Sequence, residues 1–177
     1  NRYKIDGILV TLPNFGDERA LADTIRMSGL NVPVLVQAYP DEMDKLKVGK
    51  RRDSFCGKLS ACSNLEQYGI PFSLTTLHTV SPTSESFISD LEQFLGVCRV
   101  IKGLKGAKIG SIGARTTPFK TVRFSEKILE ANGISVETVD LSEIMGKAGT
   151  LKDSDEIVMC RVNNIINYLP TSDVPTT

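Results

Sequence analysis

The sequence predicts an α/β fold: a three-layer sandwich with parallel sheets, Rossmann- or flavodoxin-like, divided between two partial domains. Three observations predict it. Five apolar strand patterns occur, and a helical pattern follows each of the first four. The first two strands are near-continuous apolar runs, as expected of parallel strands covered on both faces. Gly29, Gly69 and Gly133 each stand just beyond a helical pattern, where a left-handed residue ends a helix.

The strands are expected over 5–12, 33–37, 72–77, 107–112 and 135–140, and the helices over 17–28, 54–68, 84–102, 121–132 and 155–169. Ser54 suits an N-cap, with Phe55, Leu59, Cys62 and Leu65 recurring behind it at helical spacing. Ser84 suits the cap of the third helix. In the last helix Val158, Val162, Ile165, Ile166 and Leu169 form one stripe. Two glycines and two lysines in IKGLKG (101–106) end the long third helix and mark a domain boundary. Residues 1–104 then form an N-terminal α/β domain, and residues 105–177 the start of a second one. About three strands in one and two in the other leave bare sheet edges, so both domains are expected to be incomplete and the chain a fragment.

Composition excludes several classes. The 177 residues carry 21 basic and 21 acidic side chains, a net charge of zero. No broad field draws nucleic acid or an anionic membrane. No apolar run approaches the roughly 20 residues of a membrane helix. The first residues enter a strand pattern without a secretory layout, and four widely spaced cysteines (Cys56, Cys62, Cys98, Cys160) form no CxxC pair. Both point to a cytoplasmic location. Cys62, Cys98 and Cys160 fall on apolar helix faces and are expected to pack as small hydrophobes. With a single histidine, His78, and no acidic cluster on one helix face, there is no metal-ligand set and no catalytic residue to name.

Ligands of open parallel sheets meet the loops at the carboxyl ends of the strands. The first such loop, PNFGDE (13–18), offers Asn14 to a helix cap or a substrate hydroxyl and Phe15 to a sugar face, while Asp17 and Glu18 suit a helix start. The second candidate is the turn Arg51-Arg52-Asp53, whose forked donors stand beside a helix start and suit an oxygen-rich ligand. Lys58, one turn further, is expected to be solvated. The third is GSIGAR (110–115), where Gly110 and Gly113 let backbone approach a ligand and Arg115 can recognise an anion or hydroxyl. Arg123 and Glu126 are spaced as a surface pair on one helix. Neither GxGxxG nor the Walker pattern is present.

TLPNFGDE (11–18), KRRDSFCGKLS (50–60) and GARTTPFKTVRFSEKILEANGISVETVDLSEI (113–144) resemble the L-fucose isomerase-like family, the L-fucose/L-arabinose ketol isomerases. The resemblance implies aldose–ketose interconversion through an enediol, a divalent metal, usually Mn2+, and a symmetric homo-oligomer. It implies that this region helps form the sugar pocket, while the metal-binding carboxylates and histidine lie beyond this chain. A reading from a different class is a non-catalytic α/β sugar- or phosphate-binding sensor module. A third is a family member that kept the fold and lost the chemistry.

Overall fold

A computed structural model describes residues 4–168. The chain divides into two compact units, Asn1–Lys105 and Gly106–Thr177.

In the first unit, β1 (Ile8–Leu12), β2 (Val34–Ala38) and β3 (Ser73–Leu74) form a parallel sheet in the order β1-β2-β3. Ile8 pairs with Val34, and Leu35 with Ser73. All five residues of β2 are buried, because this central strand is covered on both faces. Successive side chains of a strand point to opposite faces. Val34, Val36 and Ala38 accordingly pack with Ala22 of α1 (Glu18–Ser28) and with Ala61 and Leu65 of α2 (Ser54–Gln67). Leu35 packs with Phe94 and Cys98 of α3 (Glu85–Leu104) on the other face. The unit is thus a three-layer α/β/α arrangement. Gly7 lets α3 approach closely, since a Cβ there would meet Cys98 Sγ at 2.6 Å.

Local chemistry sets the boundaries. Asp17 caps α1 by accepting from the Ala20 amide at 2.9 Å, and Gly29 closes it in the left-handed conformation. Ser84 Oγ accepts from the Phe87 amide and starts α3. The third strand has two residues rather than the six expected. The physical reason is side-chain competition for the backbone: Thr75 Oγ1 donates to the Leu77 carbonyl, and Asp90 of α3 accepts from both the amide and hydroxyl of Thr76.

The expected face of α2 also shifts. Phe55 and Leu59 are exposed, and the buried residues are Ser54, Gly57, Lys58, Ala61 and Leu65. Small residues occupy that face because the β1–α1 loop lies directly on it; a Cβ on Gly57 would stand 3.1 Å from Phe15 Cα. Ser54 is not the N-cap. It is fully buried, its hydroxyl donates to the Tyr39 carbonyl, and the cap position falls to Asp53, without a side-chain cap bond.

The second unit pairs β4 (Lys108–Ile112) with β5 (Ser135–Val139) in parallel, with α4 (Glu126–Ala131) between them in sequence. The expected helix over 121–132 begins late. Lys120–Val122 is a 3-10 turn, and Ser125 caps α4 through its Oγ at 3.4 Å from the Ile128 amide. An unexpected helix, α5 (Leu141–Thr150), follows β5. Asp140 Oδ1 caps it, accepting from the amide and hydroxyl of Ser142, and these bonds hold the Asp140 carboxyl below its usual range. α6 (Glu156–Tyr168) carries the apolar stripe, with Val162, Ile165 and Ile166 exposed; Leu169 lies outside the described residues. Cys160 is exposed, not packed, because its face of α6 has no neighbouring layer. Among the described residues of this unit none is buried.

Candidate functional site

The carboxyl ends of β1, β2 and β3 converge in the first unit. Backbone bonds stitch the loops there: the Tyr39 amide donates to Leu12, and the Val80 amide to Ala38. The third connection comes from the turn before α2. The Phe15 amide donates to the Arg52 carbonyl at 2.8 Å, so the β1–α1 loop lies against the Arg51-Arg52-Asp53 turn.

Arg52 lies at the centre of this arrangement. Its Nη1 donates to the Pro13 carbonyl at 3.1 Å and its Nη2 to Glu42 Oε1 at 2.7 Å. Its guanidinium also sits over the Tyr39 ring, 5.5 Å from the centroid. Bonds from Lys45 and Arg52 hold the Glu42 carboxyl below its usual range. Arg51 is more exposed and pairs through Nε with Asp53 at 2.8 Å. Asp53 adopts a left-handed backbone, φ 51° and ψ 26°, which Asp and Asn tolerate better than most residues. Asn14 does not cap α1: its Nδ2 donates to the Phe15 carbonyl at 2.9 Å, and Phe15 is 48% exposed. The structure therefore gathers Asn14, Phe15, Arg51, Arg52 and Asp53 at one end of the sheet.

Arg115 belongs to the second unit, three residues beyond β4. Its Nη2 bonds Glu126 at 2.5 Å and its guanidinium stacks on Phe124 at 4.0 Å. Glu126 is thus the partner of Arg115 rather than of Arg123, which instead donates to the Arg115 and Thr116 carbonyls from outside the helix.

Two side chains at the carboxyl end of the first unit's sheet have roles that spacing alone did not indicate. Lys58 is 4% exposed, not solvated, because α2 turns that side toward β3. Its Nζ donates to Thr75 Oγ1 at 2.8 Å and to the His78 carbonyl at 3.0 Å, and burial lowers its pKa. It thereby fastens the loop after β3, and the exposed His78 ring meets Phe55 edge-on at 5.4 Å. The only signal for Lys58 in the sequence was its place three residues before Ala61 and seven before Leu65, on the small-residue face. The second is Gln37. Its Nε2 donates to the Val80 carbonyl at 2.6 Å, while its buried Oε1 has no hydrogen-bond partner among the described residues.

A cleft of about 480 Å3 opens at the opposite, amino end of the strands, lined by Ile25, Tyr68, Ile70, Phe72, Val97 and Ile101 among others. Its lining is mostly apolar, with Arg26, Ser28, Asn31 and Ser73 as polar members, whereas ligands of open parallel sheets meet the carboxyl ends of the strands. Among the described residues no group of three His, Cys, Asp or Glu side chains could hold a metal ion, and no helix is long and apolar enough to cross a membrane.

No curated protein matches the chain. Residues 1–105, more than half of it, match the family described as Fucose/sulfoquinovose isomerase, N-terminal domain. The matched stretch contains the three-layer unit and its loop cluster, and the chain belongs to this isomerase family.

Proposed function

We propose that this chain is part of a sugar ketol isomerase and supplies the recognition wall of a pocket for an aldose of the fucose or arabinose kind. The observation that carries the reading is the convergence of Asn14, Phe15 and Arg51 at the carboxyl end of the sheet, inside the stretch that matches the family. The exposed Phe15 ring offers an apolar face to a sugar ring. Asn14 keeps one amide N–H and its carbonyl for hydroxyls, and Arg51 keeps the outer donors of its fork. Arg115 is a further candidate for recognition, from the second unit.

The divalent metal of the reaction, Mn2+ in this proposal, would stabilise negative charge on substrate oxygens. The described residues do not fit it, so its ligands are assigned to polypeptide outside them. The chain on this reading is a fragment of a cytoplasmic homo-oligomer, and the exposed apolar faces of α3 and α6 support further packing partners. A turnover assay of the chain with L-fucose, L-arabinose and Mn2+ is expected to show no conversion above background. Measurable isomerisation would refute this division of labour. The longer protein should contain a divalent metal and convert at least one small aldose.

A further inference from the structure

We infer that Asp41 is a positioning residue for the ligand end of the sheet, acting through Arg52 on the loop that carries Asn14 and Phe15. The inference rests on the recognition role proposed above and adds a residue to it. Asp41 Oδ1 accepts from two successive amides, those of Arg52 at 2.6 Å and Asp53 at 3.3 Å. These two amides lead directly into the left-handed step at Asp53. A non-glycine residue in that region persists only where its surroundings hold it. Asp41 supplies part of that hold with a charged acceptor, the stronger class of hydrogen bond.

Fixing the backbone at Arg52 has consequences on both sides of the residue. Its carbonyl is aimed at the Phe15 amide, and its side chain reaches the Pro13 carbonyl on one side and Glu42 on the other. One residue thereby ties the β1 loop, the β2 loop and the start of α2 into a single body. Asp41 touches neither Asn14 nor Phe15, yet it fixes the turn on which both depend. Arg52 spends its fork on this tie, whereas the outer donors of Arg51 stay open.

Backbone amide exchange by NMR on the chain tests this. In Asp41→Ala the amides of Arg52 and Asp53 should exchange about tenfold faster, the size of one charge-assisted bond. The Phe15 amide should follow, although it does not touch Asp41. Asp41→Asn keeps the Oδ1 acceptor without its charge and should restore protection in part at all three. The amides of Val34–Ala38 report folding; should they loosen in Asp41→Ala, Asp41→Glu replaces it, moving the carboxylate off the two amides by one methylene with the same expected effect on Phe15. An unchanged Phe15 amide in the folded variant overturns the proposal. Saturation transfer from the protein to L-fucose should weaken in Asp41→Ala and recover in part in Asp41→Asn. If the unaltered chain shows no transfer to fucose, the recognition reading fails, while the Phe15 amide still decides whether Asp41 positions the loop.

Discussion

The two units are built from the same elements and bury their side chains very differently. Both pair parallel strands through intervening helices, yet every buried residue among those described lies in the first unit. There β2 is shielded by α1 and α2 on one face and by α3 on the other. In the second unit β4 and β5 pair over five residues, but Ile109, Ile112, Ile128 and Met145 remain exposed. Backbone pairing alone does not make a core; a two-stranded sheet needs layers on it to be stable. Burial therefore concentrates the expected stability in the first unit.

The largest expected difference is in core truncation. Leu65→Ala, at a fully buried position, should cost about 2–5 kcal/mol in urea unfolding followed by α/β circular dichroism. Ile165→Ala on α6, at 69% exposure, should cost under about 0.5 kcal/mol. A comparable cost for both would break the contrast, and a cost at Ile165 that grows with protein concentration would sharpen it by showing a second copy on that face.

Glycine replacement should have opposite signs in the two units. Gly57→Ala places a methyl 3.1 Å from backbone at Phe15 and should destabilise the first unit by about 1–2 kcal/mol. Gly146→Ala in α5 meets nothing within 4 Å and should raise helicity, with a gain of up to about 1 kcal/mol. Thermal unfolding of both variants reads the difference directly.

The smallest effect is the alkaline pH dependence that Lys58 gives the first unit. Burial lowers the pKa of Lys58 from 10.5, so the folded state binds fewer protons than the unfolded one between the lowered value and 10.5. The contribution of Lys58 should therefore rise with pH through that window, and the penalty of holding the ammonium inside is fully present below it. Burial raises the Cys62 and Cys98 thiols above 9.0, which acts with the opposite sign, so the comparison is with Lys58→Met, which leaves both thiols in place. Urea midpoints measured from pH 8 to 10.5 should show the protein gaining on Lys58→Met as pH rises, and parallel pH profiles for the two would assign the slope to other groups.

Much of the first unit was legible because its signals are strong and agree. The apolar run VLVQA reads as a covered strand, and Asp17, Ser84 and Gly29 punctuate the helices by local bonding. The face of α2 was misread because period counting favours the large apolar residues Phe55 and Leu59, whereas close backbone approach selects Gly57 and Ala61. No periodicity encodes that approach. α5 escaped notice because Gly146 and Gly149 weaken its propensity, although Asp140 followed by Ser142 is a sound capping signal. Of the candidate site, the loops and the basic turn were visible as composition. The bonding that converts Arg52 into a tie between loops was not, since Asp41 and Glu42 lie ten or more residues from it and neither forms a motif. The division of labour between Arg51 and Arg52 likewise depends on which neighbours each reaches.

Lys58 gives the protein an internal reporter of breathing. Every other described lysine is exposed, so an amine-reactive labelling reagent would modify those first and leave Lys58 untouched until the segment after β3 lifts. The lag in its modification, followed by mass spectrometry, would time the opening of the sheet's carboxyl end without any probe being introduced.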